Sequence, residues 1–202
     1  MAEFIYLVRH GMTRSNIEKR LIGSSNPPLT ETGFEQARAL AGTFAKLNPE
    51  KAYCSPRLRT MQTAMNAMPG SGDSLSIIED LQEADFGEWE NLTHEEIMER
   101  DPEAFALMRD NHEDFSFPGG EALRDFIARV ERVADALKND PARSVAAFTH
   151  GGVIRYLACR LLGEGYGRTG ARYLPPGAVA ALERNGAAYR VTSISGGWRW
   201  ES

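Results

Sequence analysis

Two of the four histidines in this chain of 202 residues stand directly after short apolar runs. Residues 4–8 lead into Arg9-His10-Gly11, and residues 144–149 lead into His150-Gly151-Gly152. Apolar runs of this length are typical of strands that are buried on both faces of a sheet. Because ligands bind beyond the carboxyl ends of the strands in open α/β sheets, both histidines are expected at a ligand-binding edge.

The residues around the two histidines fit phosphate chemistry better than metal binding. Neither histidine has the nearby cysteine or histidine that a zinc site needs. A phosphoryl group in transfer carries charge over three oxygens, which fixed cations and amide donors stabilise. Arg9 adjoins His10, whose imidazole is a competent nucleophile, and His150 as an imidazolium could bind a phosphoryl oxygen. A structural role for each histidine is the alternative, and this pattern alone names no reaction.

Strands and helices must alternate along the chain to bring these two strand ends together. Apolar runs predict strands near residues 4–8, 52–54, 75–78 and 144–149. Helical spacing of apolar residues predicts helices over about 31–47, 55–68, 123–137 and 153–162. Asn185-Gly186, between apolar stretches at 179–182 and 189–194, predicts a hairpin. The pattern indicates an α/β fold: a three-layer α/β/α sandwich with a mostly parallel central sheet and a C-terminal hairpin.

Composition argues against several classes of protein. The formal net charge of −5 disfavours a general nucleic-acid binder, which needs a basic surface to neutralise phosphates. No stretch approaches the roughly 18 apolar residues of a membrane span, and the N-terminus lacks the features of a signal peptide. A cytoplasmic location without a membrane partner is therefore expected. Cys54 and Cys159 do not make a disulfide framework or a zinc site, and we expect neither a metal nor a cofactor.

Five segments, taken in order, carry a resemblance to a known family: residues 7–16, 28–37, 55–64, 83–90 and 149–155. The first reads Leu-Val-Arg-His-Gly-Met-Thr-Arg-Ser-Asn, and the last reads Thr-His-Gly-Gly-Val-Ile-Arg. Together they resemble the motifs of the histidine phosphatase superfamily, which includes cofactor-dependent phosphoglycerate mutase. The resemblance implies a phosphoglycerate mutase-like fold. Residues 1–202 would form a single histidine phosphatase domain, with a small helical cap insert at about 91–120.

The resemblance also implies a role for each motif residue. His10 would be the phosphorylated nucleophile, and Glu83 would protonate the leaving oxygen and then activate water against the phosphohistidine. Three further side chains would hold the phosphoryl oxygens: Arg9, Arg59 and His150. Additional phosphate- or substrate-binding positions would be Asn16, Gly151 and Gly23. Arg14 would either contact a second anionic group of the substrate or pair with a surface carboxylate.

The acid motif favours a phosphatase over a mutase. The glycolytic mutases of the family carry Glu-Arg-x-Tyr there, and the arginine and tyrosine bind the phosphoglycerate. This chain has Ala84, Asp85 and Phe86 after Glu83, so the cation is missing and Asp85 would repel a substrate carboxylate. The whole pattern is similar to the small bacterial phosphatases of the family, which include α-ribazole phosphatases and broad-specificity phosphatases.

Two other functions stay open at this point. One is a phosphoglycerate mutase-type phosphotransferase. The other is a binding-only relative that senses phosphorylated ligands, although such a protein should have lost at least one of His10, Arg59, His150 and Glu83. The expected ligand is a small phosphorylated metabolite, with α-ribazole 5'-phosphate as one candidate. The sequence leaves the pathway and the oligomeric state open, with a homodimer as one alternative.

Overall fold

The structure is a computed structural model that describes residues 1–70, 75–111, 114–195 and 200. Its sheet has the strand order β3-β2-β4-β1-β5-β6. The strands are β1 (Phe4–Arg9), β2 (Lys51–Cys54), β3 (Leu75–Ile77), β4 (Ser144–Thr149), β5 (Val179–Asn185) and β6 (Ala188–Ile194). The first four strands pair in parallel, whereas β5 and β6 form the predicted hairpin and add to β1 in the antiparallel sense.

Seven α-helices accompany the sheet in the described part of the chain. They are α1 (Arg14–Ile17), α2 (Glu31–Leu47), α3 (Leu58–Ala67), α4 (His94–Arg100), α5 (Pro102–Arg109), α6 (Leu123–Asn139) and α7 (Gly151–Leu162). Thr30 caps α2, since its hydroxyl accepts the backbone N–H of Gly33 at 3.1 Å. In the described ranges, no helix combines the length and the apolar character that crossing a membrane requires.

Alternate side chains of β1 enter two separate cores. Ile5 and Leu7 pack in a core that includes residues of α6 and α7. Tyr6 and Val8 point the other way, into a core that includes residues of α2 and α3. Because the sheet is covered on both faces, β1 carries a continuous apolar run rather than an alternating one. The predicted three-layer fold with a mostly parallel sheet is confirmed.

The register of the sheet places both motif histidines at one edge. Arg9 at the end of β1 is paired with Thr149 at the end of β4. The backbone N–H of His10 donates to the carbonyl of Thr149 at 3.1 Å, so the chain leaves both strands at the same level. His10 and His150 therefore lie next to each other although 140 residues of sequence separate them.

The segment predicted as a helical cap contains α4 and α5, separated at Asp101-Pro102. Beneath it lies an aromatic cluster in which Trp89 is fully buried against Phe115 and Phe117. The indole N–H of Trp89 donates to Asp101 at 3.0 Å, which ties the cluster to the junction of the two helices. Residues 112 and 113 of the predicted cap lie outside the described residues. That this segment acts as a cap within a single domain stays a prediction.

Phe148 in β4 offers a direct test of the two-sided core. It is fully buried and stacks on Phe44 of α2, with ring centroids 5.4 Å apart. We expect Phe148→Ala to lower the free energy of unfolding by about 3–5 kcal/mol because it leaves a cavity between sheet and helix. Urea denaturation measures this, with Met65→Ala on the exposed side of α3 as the control, expected within about 0.5 kcal/mol. Equal losses in the two variants would contradict the assignment.

Candidate active site

His10 is held as a neutral imidazole with one free ring nitrogen. Its Nδ1 lies 2.8 Å from the carbonyl oxygen of Gly11, and a carbonyl only accepts, so Nδ1 carries the proton. Nε2 consequently keeps its lone pair. Burial, followed by the charges of Arg59 and Arg9, holds the pKa of His10 well below 6.5. At neutral pH the side chain is therefore a nucleophile rather than a cation.

His150 stands 5.3 Å from His10, measured between ring centroids. The Nε of Arg59 donates to its Nδ1 at 3.2 Å, so its Nε2 carries the proton and donates to the hydroxyl of Ser55 at 2.8 Å. Burial and the charge of Arg59 hold the pKa of His150 well below 6.5. The sequence predicts an imidazolium at His150, whereas burial and the neighbouring cations favour a neutral ring.

Arg59 is a fully buried cation that bonds to carbonyl groups instead of carboxylates. Its Nη1 donates to the carbonyl of Ser25 at 2.8 Å, and its Nη2 to those of Ile22 and Gly23 at 3.2 and 3.3 Å. Burial lowers the pKa of Arg59 to about 10, which still leaves it charged at neutral pH. A buried guanidinium without a bonded carboxylate is ready to bind an anionic ligand.

Arg9 is the second cation of the pocket, and its side chain is partly buried. Its Nη1 donates to the carbonyl of Leu174 at 2.8 Å, and its buried Nε has no hydrogen-bond partner among the described residues. The guanidinium carbon also lies 5.4 Å from the centre of the Tyr173 ring. A Cβ at Gly151 would lie 3.0 Å from that carbon, so a side chain there would push the guanidinium of Arg9 from its position by a few tenths of an ångström.

Glu83 lies at the N-terminus of α7, beside His150. One carboxylate oxygen accepts the backbone N–H of Gly152 at 2.8 Å, and the other accepts that of Ala84 at 3.1 Å. A Cβ at Gly152 would lie 2.4 Å from the carboxylate, so a side chain there would displace the carboxylate of Glu83 from this position. The Nη2 of Arg129 donates to the backbone carbonyl of Glu83 at 3.0 Å and thereby fixes the segment that carries it.

Two of the predicted binding positions have other partners. The backbone N–H of Gly23 donates to Glu90 at 2.8 Å, so it is not open to a phosphate. Its glycine is explained by a close approach, since a Cβ would lie 1.8 Å from the carbonyl oxygen of Ala84. Arg14 is exposed and forms an ion pair of 2.6 Å with Glu18, four residues later at the end of α1. This contact fits the alternative in which Arg14 pairs with a surface carboxylate.

Asn16 has a local role that the motif did not reveal. Its side-chain oxygen accepts the backbone N–H of Thr13 at 3.1 Å and the hydroxyl of Thr13 at 3.0 Å. Together with the N-cap hydroxyl of Thr13, these bonds form the capping box that begins α1. That the side-chain amide nitrogen of Asn16 donates to a phosphate stays a prediction.

Several residues that support the pocket were missed from the sequence. Ser55 orients His150, and Thr63 accepts the backbone N–H of Gly11 at 2.9 Å. Both lie in the segment 55–64 that carries the resemblance, so their positions were visible but their partners were not. The sequence did not indicate that Arg129 supports the site, because arginines are common on the exposed face of an amphipathic helix such as α6.

The electrostatics of the site suit an anion. The guanidinium groups of Arg59 and Arg9 and two neutral imidazoles lie near the carboxylate of Glu83, whose charge interacts with both arginines. Within the described residues, there is no group of three or more His, Cys, Asp or Glu side chains that could hold a metal ion. The arrangement can bind a tetrahedral anion, attack it from Nε2 of His10 and transfer protons through Glu83.

The lowered pKa values predict that the protein loses stability in mild acid. Below pH 6.5 the unfolded chain binds protons at His10 and His150, whereas the folded pocket does not. The free energy of unfolding therefore decreases as the pH is lowered. Each histidine contributes a slope of up to about 1.4 kcal/mol per pH unit. We expect His150→Asn to reduce the slope, measured by urea denaturation in phosphate-free buffer. His94→Asn, at an exposed site, is the control. An unchanged slope in His150→Asn would count against the buried neutral imidazole.

Comparison with known proteins places this site in a family. Residues 5–195 match the profile of the histidine phosphatase superfamily (branch 1). The adenosylcobalamin/alpha-ribazole phosphatase of Escherichia coli K12 is 30% identical over 160 residues, which cover 79% of each chain. A bifunctional protein of Mycobacterium tuberculosis is 39% identical over 136 residues, 66% of this chain. The match covers 36% of that protein, so this chain spans about a third of its length.

Solved structures show the same fold. The alpha-ribazole phosphatase of Shigella flexneri superposes with a TM-score of 0.84 at 26% identity, covering 95% of both chains. The phosphoglycerate mutase of Thermus thermophilus superposes with a TM-score of 0.72 at 36% identity, covering 95% of this chain and 97% of the other. The family match over nearly the whole chain and these likenesses establish that the chain belongs to the histidine phosphatase superfamily.

Proposed function

We propose that the protein is a metal-independent phosphomonoester hydrolase that acts through a phosphohistidine at His10. The observation that carries the proposal is the state of His10, a buried neutral imidazole whose Nε2 keeps its lone pair and whose neighbours include the charges of Arg59 and Arg9. A histidine with a purely structural role does not need adjacent cations. Here Arg59 and Arg9 add to the effect of burial and lower the pKa of His10. The substrate class is a small phosphorylated metabolite.

In the first step Nε2 of His10 attacks phosphorus, and the bond between phosphorus and the leaving oxygen breaks. Glu83 would take up a proton beside the negative charge of the bound phosphate. It then gives that proton to the leaving oxygen, so the product leaves as an alcohol. Arg9, Arg59 and the backbone N–H of Gly151 stabilise the charge on the phosphoryl oxygens. The hydrogen bond from Nδ1 of His10 to Gly11 stabilises the positive charge that develops on the ring.

In the second step the carboxylate of Glu83 takes a proton from water as the water oxygen attacks phosphorus. The bond between phosphorus and Nε2 of His10 breaks, and inorganic phosphate leaves. Glu83 is then protonated and His10 neutral, which are the states that the first step uses. The position of Glu83 at the N-terminus of α7 supports this double role, since Gly152 fixes its carboxylate within the pocket.

His150 would change its protonation state when substrate binds. Its Nδ1 now accepts a hydrogen bond from Arg59, so it offers no donor to an anion. The charge of a bound phosphate favours the imidazolium, in which Nδ1 becomes a donor to a phosphoryl oxygen. Nε2 keeps its bond to Ser55 throughout, so the ring does not need to turn.

Phosphatase activity is favoured over mutase activity by the segment after Glu83. Phe86 packs edge-on against Phe117, with ring centroids 5.0 Å apart, so it belongs to the aromatic cluster. The carboxylate of Asp85 accepts the backbone N–H of Gly87 at 3.1 Å and brings negative charge. Neither residue provides the cation that a phosphoglycerate carboxylate needs. The mutase alternative is kept because of the likeness to the Thermus protein.

The substrate proposal goes one step further through the relatives. Two similar proteins are described as alpha-ribazole phosphatases, which supports α-ribazole 5'-phosphate as a candidate substrate. The net charge of −5 supports a small metabolite rather than a nucleic acid. A binding-only role is disfavoured because His10, Arg59, His150 and Glu83 are all present.

The nucleophile is tested by His10→Ala with p-nitrophenyl phosphate. We expect kcat/KM to fall by a factor of about 10³ or more, because the covalent route is lost. His94→Ala, at an exposed histidine, should keep wild-type activity. Activity of the wild type should also survive EDTA. Undiminished turnover by His10→Ala would rule out the phosphohistidine route, and loss of activity in EDTA would indicate a metal enzyme.

The acceptor of the phosphoryl group is tested with 3-phosphoglycerate and a trace of 2,3-bisphosphoglycerate. We expect slow release of inorganic phosphate and no 2-phosphoglycerate, because no cation replaces the missing arginine at position 84. Phosphorus NMR follows all species in one tube. Isomer formed faster than inorganic phosphate would favour the mutase. A phosphate-release screen that includes α-ribazole 5'-phosphate then ranks the substrates.

A further inference from the structure

A short loop lies between a carboxylate and two guanidinium groups. It consists of Ile22, Gly23, Ser24 and Ser25 and is called the bridging loop below. Its carbonyl groups accept hydrogen bonds from arginines, and its N–H groups donate to Glu90. Glu90 directly follows Trp89 of the aromatic cluster and has no role in the proposed chemistry.

Two peptide groups of the bridging loop each join Glu90 to Arg59. In the first, the carbonyl of Ile22 accepts from Nη2 of Arg59 at 3.2 Å, and the N–H of Gly23 donates to Oε1 of Glu90 at 2.8 Å. In the second, the carbonyl of Gly23 accepts from the same Nη2 at 3.3 Å, and the N–H of Ser24 donates to the same Oε1 at 2.8 Å.

The third peptide group joins Glu90 to Arg57. The carbonyl of Ser24 accepts from Nη1 of Arg57 at 2.6 Å, and the N–H of Ser25 lies 3.4 Å from Oε2 of Glu90. The hydroxyl of Ser25 donates to the same Oε2 at 2.7 Å, and its carbonyl accepts from Arg59. Every peptide group of the loop thus has its positive end on the carboxylate and its negative end on a cation.

This arrangement balances the charge of Arg59 while keeping the guanidinium available. Hydrogen bonds in such chains polarise one another, so a carboxylate at one end strengthens the bond at the other. A carboxylate bonded directly to Arg59 would instead compete with a phosphate. Arg59 has five N–H donors, and four of them are used by His150 and the bridging loop. At least one donor therefore remains for a phosphoryl oxygen.

The bridging loop also has little room to move. A Cβ on Gly23 would lie 1.8 Å from the carbonyl oxygen of Ala84, so the loop packs directly on the backbone that follows Glu83. Although burial opposes it, the hydrogen bonds from the bridging loop lower the pKa of Glu90, which is ionised at neutral pH. Its negative charge also favours the charged form of Arg59.

From these contacts we infer that Glu90 is a positioning residue for the phosphate pocket, acting on Arg59 through the peptide groups of the bridging loop. The inference rests on the proposed function, since it gives Arg59 the task of binding a phosphoryl group. A merely structural role for Glu90 is the competing explanation. It would affect folding but would not depend on the presence of Arg59.

The experiment measures the affinity for inorganic phosphate by calorimetry, together with KM and kcat for p-nitrophenyl phosphate. In Glu90→Gln the side chain loses its charge and turns an NH₂ group toward backbone donors. We expect phosphate affinity to fall about 10- to 100-fold, as for loss of a hydrogen bond to a charged group, and KM to rise with it. Glu88→Gln is the matched control, because Glu88 is exposed and pairs with Arg100; it should change neither value more than about twofold.

A double-mutant cycle with Arg59→Ala separates positioning from structure. If Glu90 acts through Arg59, Glu90→Gln has less than about a twofold further effect once Arg59 is absent. The same 10-fold loss in both backgrounds, or wild-type phosphate affinity in folded Glu90→Gln, would overturn the inference. Should Glu90→Gln fail to fold, Glu90→Asp replaces it in the same cycle. Aspartate keeps the charge with a shorter reach, so we expect a smaller loss that also vanishes without Arg59.

The measurements distinguish this inference from the proposed function. A wild-type protein that binds phosphate but hydrolyses no phosphomonoester would overturn the proposed function, while the affinity cycle still decides the role of Glu90. An active wild type with an unaffected Glu90→Gln variant would overturn the role of Glu90 alone. A wild type that binds no phosphate would overturn both.

Discussion

The site depends on holding two guanidinium groups, a fully buried one at Arg59 and a partly buried one at Arg9, with no carboxylate of the described residues hydrogen-bonded to either. Removing a charge from water costs several kcal/mol unless other groups compensate. For Arg59 the compensation comes from three carbonyl groups and from His150. For Arg9 it comes from one carbonyl and the ring of Tyr173. Burial and both cations lower the pKa of His10, so the constraint that gathers positive charge in the pocket also keeps this histidine neutral.

The rest of the fold can be understood as support for that constraint. The parallel pairing of β1 and β4 places two strand ends at one level, and α7 begins directly after the second. Two consecutive glycines then let the first turn of α7 approach a cation on one side and a carboxylate on the other. Gly151 lies against Arg9, and Gly152 binds Glu83. A side chain at either position would displace a group that the proposed chemistry uses.

Much of the fold could be predicted because its signals are local. The apolar runs of β1 and β4, the Thr30 cap and the Asn185-Gly186 hairpin depend on neighbours in sequence. The sequence predicts that α3 starts at Ser55-Pro56, whereas the helix begins at Leu58. Ser55 instead continues from β2 and bonds to His150. Residue 91 has a φ of 63°, a left-handed conformation that glycine and asparagine adopt most readily. This backbone conformation explains the asparagine at that position.

The sequence by itself determined which residue types meet at the sheet edge, because the strand ends and the family motifs are written in short segments. Only the tertiary structure decided how those residues are charged and held. The neutral state of His150 follows from its burial and from the buried cation beside it. The backbone N–H of Gly23 donates to Glu90, and Arg14 pairs with Glu18 at the surface. Bonds such as that between Gly23 and Glu90 span 67 residues, and no periodicity or local motif encodes a contact at that separation. Charge and hydrogen bonding in a pocket depend on the whole set of neighbours, which exists only once the chain has folded.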